Sequence, residues 1–267
     1  VKRARPIGDR PGLVARSVAV GHRGRAVLEG ASVVLEAGTT TAIIGPNGSG
    51  KSTLLRALAG VAKPLAGDIA LDGRPLGSYT SRELARRLAH LPQAPLVPAG
   101  ITVEELVALG RHPHRRLLGS AGSDDEAVED AITATGVGLF RRRPVAELSG
   151  GERQRVWVAV ALAQQAPILL LDEPTTFLDI RHQLELLELL SKLAAEGRAV
   201  LVVLHDLNQA AAFADDVLVL GRGRVIAQGR PAEVLDRAVI SEAFEVDALV
   251  EARDGGVVCH FRSVRAG

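Results

Sequence analysis

Gly45-Pro46-Asn47-Gly48-Ser49-Gly50-Lys51-Ser52-Thr53 gathers glycines, a lysine and hydroxyls into one short stretch with the spacing G-x-x-x-x-G-K-[ST]. A polyphosphate needs a ring of backbone N–H donors. Glycines let the main chain come that close and turn through positive φ, as Gly45, Gly48 and Gly50 can. Lys51 then reaches the β- and γ-phosphates, and the Ser52 hydroxyl is a ligand type for Mg²⁺. The helix starting here points its free amides and dipole at the anion. Ile168-Leu169-Leu170-Leu171-Asp172-Glu173-Pro174 is an apolar run ending in two acids. The first acid suits Mg²⁺, commonly through water, and the second is placed to orient or deprotonate an attacking water.

Two further stretches join these. The apolar run Ala199 to Leu204 ends at His205-Asp206. A histidine after a strand is ordinarily structural, but in one sheet with Asp172 and Glu173 it can sense a phosphate. Leu148-Ser149-Gly150-Gly151-Glu152-Arg153-Gln154-Arg155 opens a helix with capping-box spacing between Ser149 and Glu152. Gly150-Gly151 leaves that N-terminus bare of side chains, which makes a second anion-binding device or simply a well-capped helix.

These residues need a particular frame. Thr40 to Ile44 is a β-branched apolar run suited to a buried strand before the loop; Leu54, Leu55 and Leu58 give the helix after it an apolar face that Gly60 ends. Ile168 to Asp172 reads as a central strand delivering its acids to the ligand crevice of a parallel sheet. Leu13 to Val20 and Ser32 to Leu35 read as paired strands around the turn Gly21-His22-Arg23-Gly24, a small antiparallel layer beside the ligand. Asp68 to Leu71 is a further strand before the Asp72-Gly73 turn, followed by a helix from Ser81 to about Leu88 and a short strand ending at His90-Leu91-Pro92-Gln93. From about 100 to 165 the pattern turns helical, with capping-box spacing at Thr102/Glu105 and Ser123/Glu126. Thr175 to Asp179 leads into a helix whose predicted apolar face is Ile180, Leu184, Leu187, Leu190 and Ala194. Asp216 to Leu220 and Arg224 to Gln228 form a hairpin; the tail offers a short helix from Ala232 to Leu235 and a last strand near Val257 to Phe261.

Composition narrows the class. A chain of 267 residues with net charge +1 and 3% aromatics has neither a massed basic face nor stacking platforms, so no nucleic-acid partner is expected. No apolar run approaches the roughly 18 residues of a membrane span. The N-terminal stretch Val1 to Arg10 is basic and lacks an apolar signal core, and the single cysteine, Cys259, cannot close an intrachain disulfide. Both fit a cytoplasmic location. Gly110-Arg111-His112-Pro113-His114-Arg115-Arg116 reads as a solvated basic loop. Its paired histidines lack the acidic or cysteine partners of a metal site.

In order, the Gly45 loop, Gln93, Leu148-Ser149-Gly150-Gly151-Glu152, Asp172-Glu173, Leu178-Asp179 and His205 resemble the motif set of ATP-binding-cassette (ABC) ATPases, over about Leu13 to Val246. The resemblance implies an α/β fold: a P-loop NTPase core of the RecA-like kind with a mostly parallel sheet, an N-terminal antiparallel β layer and an inserted helical subdomain. It implies a nucleotide-binding domain over 11–246, with the insert at about 94–165 and a tail over 247–267. ATP and Mg²⁺ are the implied cofactors. Gly45, Asn47, Gly48, Ser49, Gly50, Lys51, Ser52 and Thr53 would cradle the phosphates, with Ser52, Gln93 and Asp172 around the metal. Glu173 would be the general base, Gln93 would contact the attacking water, and His205 the γ-phosphate. Ser149 and Gly151 would close over ATP held by a second copy of the chain, with Asp179 bridging the halves. The family commonly places a tyrosine where this chain has His22, whose imidazole can still stack on adenine. Phe177 stands where relatives often carry another residue.

His90-Leu91-Pro92-Gln93, Gly110 to His114, Val156-Trp157, Leu178-Asp179-Ile180 with His182-Gln183, Leu204 to Asn208 and Ala227-Gln228-Gly229 are similar to importer ATPases for iron-siderophores. Haem, cobalamin and manganese or zinc importers are nearby alternatives, and a soluble cassette ATPase acting on nucleic acid or ribosomes is one of another class. That resemblance implies a peripheral protein on the cytoplasmic side of the cell membrane, docked on a permease through a face that includes Arg111 to Arg116. The permease would in turn be served by a substrate-binding protein.

Overall fold

The computed structural model describes residues 12–115, 121–253 and 256–264. The N-terminal stretch up to residue 11 and Arg116 lie outside the described residues. β1 (Gly12–His22) and β2 (Arg25–Glu36) pair antiparallel through a tight turn in which Arg23 and Gly24 both have positive φ, 50° and 78°. Such primed turns match the twist of the strands they join. β3 (Thr40–Ile44) is buried along its whole length and runs directly into the Gly45 loop and α1 (Lys51–Leu58). β4 (Ala66–Leu71) pairs antiparallel with β1 and, through the turn at Asp72-Gly73, with the two-residue β5 (Arg74–Pro75). α2 (Ser81–Arg87) leads to β6 (Leu88–Leu91).

Three helices follow without a strand: α3 (Val103–Leu109), α4 (Ala121–Thr135) and α5 (Gly150–Ala163). The α/β pattern then resumes with β7 (Ile168–Asp172), α6 (Ile180–Ala195), β8 (Ala199–Val203), α7 (Leu207–Phe213) and the hairpin β9 (Asp216–Gly221) and β10 (Arg224–Gly229). α8 (Pro231–Val234), α9 (Arg237–Phe244) and a ribbon of β11 (Val246–Arg253) and β12 (Gly256–Val264) end the described chain.

The strands line up as β5-β4-β1-β2-β10-β9-β3-β8-β7-β6. From β9 to β6 every pair is parallel, and from β5 to β2 every pair is antiparallel. The hairpin strand β10 joins the two halves edge to edge through a ladder of one residue pair, Arg224 and Glu29. Parallel strands put their C-terminal ends on one edge, so the loops leaving β3, β6, β7 and β8 open toward a common crevice. Side chains alternate between two cores. Ile43, Leu170, Leu201 and Val203 face the antiparallel layer and α1, while Ala42, Ile44, Leu169, Leu171, Val200 and Val202 face the helices and the C-terminal ribbon. With both faces covered, these strands read as unbroken apolar runs.

Four details depart from the sequence reading. The apolar face of α6 is right at Leu187, Leu190 and Ala194, but Ile180 and Leu184 are exposed and Leu186 and Leu193 are buried instead. Among the described residues neither Ile180 nor Leu184 joins a hydrophobic core, so amphipathic spacing at these two positions has no core to serve. Ser123 is not a cap, because α4 has already begun at Ala121. Arg111 is not a solvated loop residue: its Nε donates to Asp124 Oδ1 (2.9 Å), and one Nη donates to Ala163 O (2.8 Å) and Gln165 Oε1 (3.0 Å). It is buried, tying α3 to both α4 and α5. Lastly, α7, α9 and β11 escape the sequence patterns, and Ala248 and Cys259 of the ribbon sit in the main core.

Candidate functional site

Gly45 follows β3 so closely packed against the sheet that a Cβ there would lie 2.4 Å from the carbonyl oxygen of Leu220. Gly50, at φ 98°, is the N-cap of α1 and turns the chain into the helix. A side chain at either would push the loop off the sheet or strain it. The first bond inside α1 runs from Leu54 N to Gly50 O (2.8 Å), so the amides of Lys51, Ser52 and Thr53 have no partner within the helix. Neither a side-chain cap nor an acid occupies that first turn. Lys51 is buried and its Nζ donates to Gly45 O (2.8 Å) and Pro46 O (3.0 Å), which draws the loop around the ammonium. Asn47 and Gly48 form the exposed turn of the loop.

The acids arrive from β7. Asp172 Oδ1 accepts from Ser52 Oγ at 3.0 Å, joining the acid to the first turn of α1. Glu173, the next residue, is buried with its backbone in the left-handed region (φ 52°), costing about 1–3 kcal/mol that the surroundings must offset. Its Oε2 accepts from Gln93 Nε2 (2.6 Å), just past β6, and its Oε1 lies 2.6 Å from Nε2 of His205, just past β8. Gln93, Glu173 and His205 therefore form one bonded row along the crevice edge. Burial pushes Asp172 above the usual carboxylate range, with the Ser52 hydroxyl opposing and Glu173 adding to the rise. Burial likewise lowers Lys51, against the pull of Glu173 and Asp172. An anion arriving beside Lys51 and a cation beside Asp172 would each relieve a buried charge.

Whether Mg²⁺ and phosphate fit is decided by the donors present. Ser49 Oγ is buried with no hydrogen-bond partner, and it lies in the loop where a polyphosphate oxygen would be received. Around Asp172, the hydroxyl of Ser52 and the carboxylate supply hard oxygen ligands of the kind Mg²⁺ takes. The residues fit both groups.

The remaining expected site residues lie apart from this row. His22 Nε2 is 3.4 Å from Thr53 Oγ1, so the exposed imidazole stands at the outer side of α1. Ser149 caps α5 with a closed box: Ser149 N donates to Glu152 Oε2 (2.8 Å) and Glu152 N donates to Ser149 Oγ (3.3 Å). The Ser149/Glu152 box forms as its spacing predicts, and Gly150 and Gly151 leave their amides and the Ser149 hydroxyl proton at that N-terminus. Gly151 lies against Phe177 and Leu178, and a Cβ on it would meet Phe177 O at 3.0 Å. Asp179 caps α6, accepting from His182 N (2.9 Å) with His182 Nδ1 at 2.8 Å. Among the described residues no hydrogen bond or ion pair joins Ser149, Gly151 or Asp179 to the Gly45 loop.

His114, whose segment the sequence reads as a solvated loop lacking the partners of a metal site, has its Nε2 2.9 Å from Gln164 O. Pro113 O of the same segment accepts from Arg82 Nε (3.0 Å) and Arg86 Nε (2.8 Å) of α2. Burial, with Arg56 nearby, pushes His90 down to about 4, which leaves it a neutral strand residue. The sequence analysis missed Asn208 and Gln209, which follow His205 on α7 and bond to β12 and α6. Asp206, the N-cap, signals where α7 starts but not these distant partners.

A crevice built this way, with a phosphate loop after one strand and paired acids after another, belongs to P-loop NTPases, and the comparisons narrow the class. The profile of the family described as ABC transporter matches residues 28–176. The achromobactin transport ATP-binding protein of Dickeya dadantii is 42% identical over 240 residues, 89% of each chain. The hemin import ATP-binding protein of Streptomyces coelicolor is 46% identical over 238 residues, covering 88% of this chain and 84% of its own. The dimeric structure of a bacterial ABC transporter cassette superposes with a TM-score of 0.74 at 28% identity, over 82% of this chain and 98% of that one. The chain belongs to the ABC transporter family, as an ATPase of that family.

Proposed function

We propose that this protein is the ATP-hydrolysing subunit of an importer for an iron(III)-siderophore or related iron chelate. It would work as a pair of copies on the cytoplasmic face of a membrane permease. The observation that carries the ATPase part is the bonded row Gln93–Glu173–His205 beside the Ser52–Asp172 contact, on the same crevice edge as Lys51. Support for the substrate class comes from relatives named for achromobactin and ferric enterobactin transport. No helix among the described residues is long and apolar enough to cross a membrane.

In this reading the loop 45–53 binds the phosphates and Lys51 offsets their charge. Ser52, Asp172 and the Gln93 amide oxygen would hold Mg²⁺, which when bound neutralises charge on the β- and γ-phosphates. Glu173 accepts the proton of the attacking water once one of its two donors lets go, and His205 donates to the γ-phosphate. Ser149 and Gly151 complete the partner's site, with Asp179 at the junction. His22 stacks on the adenine. Residues 11–246 are read as the nucleotide-binding domain and 94–165 as its helical insert, consistent with the strand-free run from α3 to α5.

Haem import is a second reading, because the Streptomyces hemin relative is as similar as those named for siderophores. Membrane vesicles carrying this chain with its permease, supplied with a substrate-binding protein, test both. ATP-dependent uptake of a ferric siderophore supports the first reading; uptake of hemin alone replaces it with the second. A chain that purifies without any integral membrane protein and hydrolyses ATP only in response to nucleic acid or ribosomes overturns both.

A further inference from the structure

The turn that follows His205 is tied down from three directions. Asp206 starts α7, its Oδ1 accepting from the backbone N of Asn208 (2.7 Å) and Gln209 (3.2 Å). The Asn208 side chain then turns to the C-terminal ribbon: its Oδ1 accepts from Cys259 N (2.8 Å) and its Nδ2 donates to Cys259 O (3.2 Å). That is how one strand residue pairs with the next strand, here performed by a side chain against the backbone of β12. Gln209 Nε2 donates to Gln183 Oε1 (2.7 Å), and Gln183 Nε2 donates onward to Leu178 O (3.0 Å) in the turn after Glu173.

Holding the ribbon on the core does not need this arrangement. Ala248 and Cys259 are already 1% and 3% exposed in the main core, and apolar contact is indifferent to small rotations of α7. A bidentate amide is not: it fixes how far α7 is turned about its axis, because a rotation breaks both bonds at once and strands a buried N–H and C=O. His205 stands immediately before this turn, with Nε2 2.6 Å from Glu173. Whatever fixes the first turn of α7 fixes where that imidazole points.

We propose that Asn208 and Gln209 are positioning residues that hold His205 against Glu173, and that the β11–β12 ribbon bears on ATP hydrolysis through Asn208. The inference rests on the ATPase reading above. The ribbon, which no motif assigns to the reaction, thereby becomes part of the machinery, joined through α7 to both His205 and the turn after Glu173.

The test uses the full chain. Binding and hydrolysis of MgATP by the wild type are measured first; a wild type that does neither overturns the ATPase reading and not this one in particular. Asn208→Leu removes both ribbon bonds while keeping the branched side-chain skeleton, and the milder Asn208→Asp keeps the acceptor for Cys259 N while setting an oxygen against Cys259 O. Both should bind MgATP within about twofold of wild type and lose about tenfold to a hundredfold in kcat, the scale of a misplaced catalytic group. In imidazole nitrogen NMR spectra, the His205 signals, assigned with His205→Gln, should move in both variants and in Gln209→Leu, while those of His22 stay in place. Unmoved His205 signals with unchanged kcat overturn the proposal. Failure of both Asn208 variants to fold, or an equal loss of binding and turnover, assigns Asn208 to the fold alone and overturns it as well.

Discussion

Glu173→Gln isolates the proposed general base with the least disturbance to its surroundings. Glutamine has the volume of glutamate and keeps the backbone at φ 52°, so neither packing nor strain changes at this buried position. What changes is charge and one acceptor. Glu173 accepts from Gln93 Nε2 and pairs with His205 Nε2, each at 2.6 Å; a glutamine can satisfy only one of them with its oxygen and sets an NH₂ against the other. His205 is about half exposed, so water or a tautomer change can meet its need. The expected stability loss is then at the low end of about 1–3 kcal/mol for an unmet partner, or roughly 2–4 °C in Tm per kcal/mol for a chain of this size. Chemistry suffers far more. Removing a general base costs about 10²–10⁴ in rate, which is roughly 2.7–5.4 kcal/mol of barrier at 1.36 kcal/mol per decade. Binding should survive, because Lys51, Ser52 and the loop amides are untouched and one carboxylate repelling the γ-phosphate is gone. Single-turnover hydrolysis of labelled ATP, nucleotide titration and size-exclusion chromatography with ATP separate these effects. The expected pattern is slow hydrolysis, retained MgATP affinity and a dimer that persists with ATP. Hydrolysis at the wild-type rate would show that another group takes the proton.

Three further outcomes follow from the geometry. Ser149→Arg and Lys51→Ala should each be inactive alone, yet mixing them should restore some ATP-dependent dimer and hydrolysis, because one interface then holds an intact loop facing an intact Ser149; no recovery on mixing, or full activity of a strictly monomeric wild type, would count against shared sites. Arg111→Met leaves Asp124 partly buried without its ion pair and strips Ala163 O and Gln165 of a donor, so it should cost about 3–5 kcal/mol and lower Tm by roughly 10 °C, with kcat at 20 °C almost unchanged; an unaltered Tm would show that the pair contributes nothing to joining α3, α4 and α5. Asp172→Asn should abolish hydrolysis yet raise the Tm of the protein without nucleotide at pH 7. Burial raises Asp172 in the fold, so its charged form costs stability above that raised value and the cost fades as the pH drops through it toward the ordinary 3.8; the variant's advantage in Tm should shrink in acid, and an advantage that grows there contradicts the sign of the shift.

Much of this protein is legible in its sequence because the chemistry is local. A phosphate loop needs glycines and a lysine at fixed spacing, so Gly45 to Thr53 announces itself, and strands buried on both faces leave unbroken apolar runs such as Ile168 to Leu171. The capping boxes at Thr102 and Ser149 depend on contacts three residues apart, and both form as their spacing predicts. Other features depend on what lies across from a residue, which spacing cannot express. Ile180 and Leu184 have helical amphipathic spacing but join no hydrophobic core among the described residues, whereas Arg111, in a stretch that reads as solvated, is buried because Asp124 and two carbonyl-type oxygens close around it. The row Gln93–Glu173–His205 needs three separate strands, β6, β7 and β8, to end at one edge in register, and only the parallel pairing of the sheet brings them within 2.6 Å. Asn208 gives no local sign of its role, since its partner is the backbone of Cys259, and a backbone N–H and C=O look the same at every residue of a sequence.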